Sequence, residues 1–99
     1  MFKIKWTSEA QEQYFKTLEY WIEHNKSPLY SEKIIEETMY TESLLVQNPF
    51  IGLIVENTNG EVRRVLVLLN FSLFYRITSD TLEIISFWGN KMNPDDLKM

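Results

Sequence analysis

The sequence predicts a single α+β domain over residues 1–99, with an N-terminal strand, an antiparallel two-helix hairpin and then a four-stranded meander. Two changes in hydrophobic periodicity carry this prediction. Apolar residues alternate at the start, recur at three- and four-residue steps through the next forty residues, and return to strand-like runs after residue 50. We therefore expect a largely antiparallel sheet with both helices packed on one face.

The first strand and the first helix have clear sequence signals. In "FKIKW" every second residue from Phe2 onward is apolar, which is typical of a half-buried strand. Thr7 and Ser8 then offer side-chain oxygens that can cap a helix N-terminus. Apolar residues follow at helical spacing, so the first helix is expected to run to about Asn25.

Prolines mark both ends of the second helix. Ser27 followed by Pro28 is an N-cap candidate with proline at the first helical position. Pro49 disfavours a helical residue before it, so the helix should end near Asn48. Turn signals then separate four strand-like runs, which are "LIVENT", "VRRVLVLL", "FSLFYRI" and "LEIISFW".

Composition excludes several classes of protein. The chain contains no cysteine, so disulfides and thiolate metal sites are ruled out. No apolar run approaches the roughly 20 residues of a membrane span, and the N-terminus lacks a signal-peptide pattern, so we expect a cytoplasmic protein with no membrane partner. The net charge of -4 argues against general nucleic-acid binding, although all three arginines lie in the second half of the chain.

Motifs for cofactors and metals are absent from the sequence. It has neither a G-x-x-x-x-G-K-[ST] loop nor a G-x-G-x-x-G loop, so no cofactor is expected. His24, the one histidine, is expected to stabilise the end of its helix, and Tyr75 is expected to belong to the core. No metal site is expected from the glutamates of the second helix, which are Glu32, Glu36, Glu37 and Glu42.

The pairing of the last strands predicts two different sheet faces. A two-residue turn at Leu69-Asn70 would place Arg63 opposite Arg76, and a turn at Ser79-Asp80 would place Arg76 opposite Glu83. The face covered by the helices would then be apolar: Leu66, Leu68, Phe71, Leu73, Tyr75, Ile77, Leu82, Ile84 and Trp88. The uncovered face, here called the free face, would be mixed: Arg63, Val65, Val67, Ser72, Phe74, Arg76, Glu83, Ile85 and Phe87.

This composition of the free face predicts a binding surface. Two arginines directly opposite each other repel, by about 0.2 to 1 kcal/mol, unless a carboxylate or a bound anion lies between them. Glu83 is one candidate for that carboxylate, and a phosphate or a partner's acidic side chain is the alternative. Because soluble monomers seldom leave a large apolar patch bare, we expect a second copy, another protein or the chain's own tail to cover this face.

Five segments of the chain, taken in order, share the pattern of one known family: "WTSEAQEQYFKTLEYWI", "LLVQNPFIG" with P-x-x-G at Pro49 to Gly52, "VRR", "FSLFYRI" and "FWGNKMNP". Their order and spacing resemble the RelE/ParE superfamily, the toxins of bacterial type II toxin-antitoxin pairs. The resemblance covers nearly the whole chain and implies the same α+β fold.

The resemblance implies two possible activities, because the superfamily contains ribosome-dependent mRNA endonucleases and inhibitors of DNA gyrase on one scaffold. Metal-independent RNA cleavage requires a proton acceptor for the 2′-hydroxyl group and cations near the phosphate. The resemblance assigns catalytic roles to Arg63, Arg64 and Lys91. Two features depart from the nuclease pattern: Ser72 stands where that branch often has arginine, and no histidine or tyrosine follows Trp88.

The resemblance also implies a partner, a small antitoxin bound across the free face. Its expected contacts are Arg63, Phe74, Arg76, Ile85 and Phe87. We therefore expect a toxin that inhibits growth by ribosome-dependent mRNA cleavage. The alternatives are a gyrase-inhibiting toxin and a non-catalytic interaction module, and the assembly is expected to be a homodimer or a toxin-antitoxin hetero-oligomer.

Overall fold

Two helices and five strands form within residues 2–90, the part of the chain that the structure, a computed structural model, describes. In chain order they are β1 (Lys3–Trp6), α1 (Ser8–Asn25), α2 (Leu29–Gln47), β2 (Leu53–Ile54), β3 (Val62–Val67), β4 (Phe71–Thr78) and β5 (Thr81–Gly89). The strands form one sheet in the order β1-β5-β4-β3-β2. Only β1 and β5 run parallel, so the predicted largely antiparallel α+β fold is confirmed.

The helix ends lie where the sequence predicts them. The Thr7 side-chain oxygen accepts a hydrogen bond from the backbone N–H of Ala10 at 3.1 Å, which starts α1. Lys26 adopts the left-handed conformation, φ 53°, and ends it. The Ser27 hydroxyl accepts from the backbone N–H of Leu29 at 3.2 Å before α2. Within the described residues, neither helix is long and apolar enough to cross a membrane.

The core lies between the helical hairpin and one face of the sheet. Burying a large apolar side chain contributes about 1.5 to 3 kcal/mol, so a core of this size accounts for much of the drive to fold. Tyr75 is fully buried, as the sequence predicts. The other buried members are Ala10, Ile34, Leu45, Val67, Phe71, Leu73, Leu82, Ile84 and Phe87.

A β-bulge in β5 determines where the end of that strand points. Tyr75 pairs with Ile84 and Phe74 pairs with Ser86, so Ile85 is the extra, unpaired residue. Strand β1 pairs only with residues 81–84 of β5. Beyond the bulge, the Gln13 side chain of α1 accepts hydrogen bonds from the Ser86 hydroxyl at 3.0 Å and the Phe87 backbone N–H at 2.9 Å. The helix thus satisfies the strand edge that β1 leaves open.

The bulge reverses two sequence predictions at the end of β5. Phe87, expected on the free face, pairs with Leu73 and is 1% exposed in the core. Its ring lies 5.5 Å from that of Phe71, centroid to centroid. Trp88, expected in the core, pairs instead with Ser72 on the other face. One extra residue shifts the alternation of all later side chains, which is why both predictions were wrong.

Candidate functional site

The turn between β3 and β4 decides which β3 side chains lie on the free face. It contains three residues, Leu68, Leu69 and Asn70, and both leucines are left-handed with φ 57° and 64°. The predicted two-residue turn is therefore wrong, and the register shifts by one residue. A shift of one residue moves every side chain of a strand to the opposite face. Arg64 and Leu66 lie on the free face, whereas the helix side carries Arg63, Val65 and Val67.

Arg63 is a structural arginine on the helix side. It pairs with Tyr75, not with Arg76 as the sequence predicted. Its Nη1 donates hydrogen bonds to the carbonyl oxygens of Gly52 at 2.8 Å and Phe50 at 3.1 Å. The guanidinium carbon also lies 5.3 Å from the centre of the Phe50 ring. Arg63 therefore holds the loop between α2 and β2, and its expected position on the free face is wrong.

Tyr75 anchors the same loop from the core. Its hydroxyl donates to the Pro49 carbonyl oxygen at 2.7 Å and accepts from the Gly52 backbone N–H at 2.9 Å. A Cβ atom on Gly52 would lie 2.6 Å from the Tyr75 hydroxyl oxygen, so no side chain fits there. The P-x-x-G segment thus has a physical reason: its proline and its glycine enclose one buried hydroxyl.

The buried tyrosines predict a loss of stability at alkaline pH. Burial raises the pKa of Tyr75 and of Tyr14 above the ordinary value of 10.0. For Tyr75, burial outweighs the opposing effects of the Gly52 hydrogen bond and the Arg63 charge. The folded protein therefore keeps protons that the unfolded chain releases above about pH 10, which favours unfolding there.

The measurement is the free energy of unfolding in urea at several pH values from about 8 to 11. We expect the Tyr14 and Tyr75 hydroxyls to contribute their full stabilisation of the fold below about pH 10. That stabilisation should be lost as the pH rises further. A Tyr75→Phe variant should lose less stability over the same rise in pH, because one of the two groups is gone. Stability that increases above pH 10 would contradict this account.

Arg64 is an exposed arginine of the free face, and its guanidinium is held at Nε. Its Nε donates to the Ser72 hydroxyl oxygen at 2.7 Å, and that hydroxyl donates in turn to Asn90 Oδ1. Asn90 is fixed to the β3–β4 turn through Nδ2 to the Leu69 carbonyl at 2.9 Å and through its backbone N–H to the Asn70 carbonyl at 2.8 Å. Among residues 2–90, nothing accepts from the terminal nitrogens of Arg64.

Arg76 lies farther along the free face and is paired with a carboxylate. Its Nε lies 2.6 Å from Glu83 Oε1, and the two residues are cross-strand partners. Val62, not Arg63, stands opposite Arg76 on β3, so the expected repulsion between two arginines does not arise. The predicted position of Glu83 opposite Arg76 is confirmed, and of the two candidates for the neighbouring anion the structure shows the Glu83 carboxylate. A partly exposed pair of this kind contributes about 0 to 1 kcal/mol.

The exposed apolar surface of the free face differs from the predicted one. Phe74 is on this face but only 6% exposed, and Ile85 is half-buried in the bulge. The exposed apolar side chains beside Arg64 are Leu53, its partner on β2, at 78%, and Leu66 at 46%. Sequence reasoning missed both leucines because it assigned β3 to the wrong phase and gave β2 no partner.

The arrangement is suited to binding an oxyanion. The terminal N–H groups of a guanidinium form a planar fork that matches phosphate or carboxylate oxygens.

Lys91, the third predicted catalytic residue, lies outside the described residues. In the part of the chain that the structure describes, no group of three or more acidic or histidine side chains could hold a metal ion. His24 is in the last turn of α1, stacked on Tyr20 with ring centres 5.4 Å apart.

Neither a family model nor a curated protein matches the sequence. Solved structures do match. The chromosomal ParDE toxin-antitoxin system from P. aeruginosa aligns with a TM-score of 0.74 and 20% identity over 90% of this chain and 96% of that one. The YoeB/ParE toxin from Agrobacterium tumefaciens aligns with a TM-score of 0.65 and 17% identity over 90% and 99%. YafQ from E. coli strain BL21(DE3) aligns with a TM-score of 0.60 and 11% identity over 91% and 94%. The chain therefore has the fold of the RelE/ParE-type toxins.

Proposed function

We propose that the chain is the toxin of a type II toxin-antitoxin pair and that it inhibits growth by cleaving ribosome-bound mRNA. The fold it shares with toxins supports the first part of this proposal. The observation that supports the second is the Arg64 guanidinium, which is exposed on the free face and held through Nε.

Arg64 offers the chemistry that phosphate recognition requires. With Nε bound to Ser72, the terminal nitrogens, which have no acceptor among residues 2–90, can donate to the oxygens of an RNA phosphate. In the cleavage step the 2′-oxygen attacks the phosphate and loses its proton to water. The bond from phosphorus to the 5′-oxygen breaks, which leaves a 2′,3′-cyclic phosphate and a 5′-hydroxyl end protonated from water. A cation at this point stabilises the extra negative charge that the phosphate gains during the attack. Arg76 contributes less because Glu83 offsets its charge. Lys91, which follows Asn90 in the sequence, is proposed as a second cation.

Gyrase inhibition is the second candidate, and one observation favours it. Strands β3, β4 and β5 contain no histidine, and their single carboxylate, Glu83, is paired with Arg76. None of these strands therefore supplies an unpaired carboxylate or imidazole to accept the 2′-hydroxyl proton, as a nuclease mechanism requires.

Purified protein distinguishes the two activities. We expect new mRNA 5′ ends when the protein is added to translating ribosomes, and intact mRNA when ribosomes are left out. Intact mRNA together with blocked DNA supercoiling by gyrase would favour the second candidate. If neither mRNA nor supercoiling is affected, the proposed toxin activity is wrong and a non-catalytic interaction module is the better account.

A cognate antitoxin is the partner that this function requires. Leu53, the partner of Arg64 on β2, and Leu66, two residues after Arg64 on β3, are both exposed. A segment with apolar and acidic side chains would cover the leucines and pair with the arginine, removing the site from solvent. Such a complex would be inactive because the phosphate-binding group is occupied.

The antitoxin surface is tested with two exposed leucines. Leu66→Ser should weaken binding of the protein encoded by the adjacent small open reading frame by about tenfold, as expected for a contact worth more than 1 kcal/mol. Leu29→Ser, on a 71% exposed leucine at the start of α2, is the matched control and should change affinity little. Calorimetric titration measures both. Equal losses, or a loss only for Leu29→Ser, would place the antitoxin elsewhere.

A further inference from the structure

We propose that Ser72 is a positioning residue that fixes the Arg64 guanidinium as an end-on fork for an RNA phosphate, and that Asn90 fixes Ser72 in turn. This inference rests on the proposed function, because it takes the oxyanion to be a phosphate of the RNA target.

The first step is the direction of the hydrogen bonds. Ser72 is 2% exposed, and its hydroxyl accepts from Arg64 Nε and donates to Asn90 Oδ1. A hydroxyl has one proton, so donation to Asn90 leaves its lone pairs for Arg64. Asn90 Nδ2 then donates to the Leu69 carbonyl. Each of these three hydrogen bonds has a defined donor and acceptor, and hydrogen bonds linked in series strengthen one another.

The second step is the consequence for Arg64. A long exposed arginine ordinarily samples many rotamers, and binding has to immobilise it. Here the free protein already holds the guanidinium through Nε, so less side-chain entropy is lost when a ligand binds. The hydrogen bond from Arg64 Nε to Ser72 also determines how a ligand can approach the guanidinium. Because Nε is occupied, only the pair of terminal nitrogens can engage the ligand, which is the end-on arrangement.

The third step concerns how Ser72 acts on a ligand. Ser72 is 2% exposed, and a buried serine is too short to contact a ligand on the face itself. The hydrogen bond to Arg64 gives it a different role: it acts on the ligand through its neighbour's guanidinium.

The experiment uses a ten-nucleotide 2′-O-methyl RNA, which the proposed reaction cannot cleave, with affinity measured by fluorescence anisotropy. Ser72→Ala should weaken binding about tenfold, the effect of one lost charge-assisted hydrogen bond. Ser72→Thr keeps the hydroxyl and should restore affinity. In NMR spectra, the Nε–H proton of Arg64 should exchange slowly with water in the unaltered chain and in Ser72→Thr, and quickly in Ser72→Ala.

Asn90→Ala is a second variant, at an exposed position, in case loss of the buried hydroxyl impairs folding. It leaves Ser72 in place without its acceptor and should weaken RNA binding about threefold, less than loss of the hydroxyl. Unchanged affinity in both Ser72→Ala and Asn90→Ala, or unchanged Nε–H exchange in Ser72→Ala, would overturn the inference.

Arg64→Ala separates this inference from the proposed function. If Arg64→Ala loses RNA binding and Ser72→Ala does not, only the positioning role fails. If the unaltered chain does not bind the RNA, or Arg64→Ala binds it equally well, the phosphate site itself is wrong and the inference fails with it. Displacement of the RNA by an equal concentration of deca-glutamate would show that the fork prefers carboxylates, which also overturns the inference.

Discussion

Replacing Arg64 with alanine is expected to abolish growth arrest on induction while changing the free energy of unfolding by no more than about 1 kcal/mol. Arg64 is exposed, and its one side-chain hydrogen bond among the described residues is to Ser72, so the fold depends little on its side chain. Its terminal nitrogens, in contrast, are the proposed contact with the target. Growth curves and urea unfolding of the same variant measure the two quantities.

Arg63→Ala is the matched control for Arg64→Ala, since it removes the same charge from the preceding residue. Arg63 points to the other side of the sheet and donates to two loop carbonyls, of Phe50 and Gly52. Its loss should lower the free energy of unfolding by about 1 to 3 kcal/mol. Growth arrest should persist at temperatures where the variant is folded. A fully toxic Arg64→Ala, or a stable Arg63→Ala without toxicity, would contradict the assignment.

The largest loss of stability is expected for Gly52→Ala. The new methyl group would lie 2.6 Å from the Tyr75 hydroxyl oxygen and 2.9 Å from its Cε1, so the ring or the loop must move. Movement breaks the hydrogen bond from the Gly52 N–H and the one to the Pro49 carbonyl. Overpacking and lost buried hydrogen bonds together should cost about 2 to 4 kcal/mol, measured by urea unfolding.

Tyr75→Phe tests the same contact from the other side. It removes the hydroxyl and leaves the Gly52 N–H and the Pro49 carbonyl without their partner, at a cost of about 1 to 3 kcal/mol. In the double variant Gly52→Ala, Tyr75→Phe, the hydroxyl oxygen that would clash with the new methyl group is absent. The loss in free energy of unfolding should therefore be smaller than the sum of the two single losses. An additive result would show that the two residues do not act through this contact.

The sequence predicted the elements that depend on local signals. The helix bounds follow from the Thr7 and Ser27 side chains and from Pro49, which act within a few residues of their own position. The pairing of Arg76 with Glu83 was also predicted, because the turn at Ser79 has a clear sequence signal. The core side of β4 was therefore assigned as the structure has it.

The residues of β3 do not predict its phase, that is, which alternate set of its side chains faces the helices. Each phase carries one arginine followed by apolar residues, Arg63 with Val65 in one and Arg64 with Leu66 in the other, so alternation gives the same pattern for both. The turn type decides between them. That turn places two leucines in the left-handed conformation, which glycine or asparagine usually adopts, and no local signal indicates it.

The bulge and the Ser72 contacts were missed for a related reason. The bulge at Ile85 is accompanied by hydrogen bonds from Ser86 and Phe87 to Gln13, more than seventy residues away in sequence. The Arg64 anchor joins two strands and the residue after β5. Such long-range contacts exist only once the sheet has formed. A serine in place of an expected arginine was therefore the one available signal, and it did not reveal the role.

Counting surviving cells tests the proposal that this chain is a toxin acting through the free face. The unaltered chain is induced alone, induced with the product of the adjacent small open reading frame, and compared with Arg64→Ala at matched protein levels. Loss of colonies is expected only when the unaltered chain is induced alone, and the other two cultures should keep their colony numbers. Unchanged colony numbers at a confirmed level of folded, unaltered protein would contradict it.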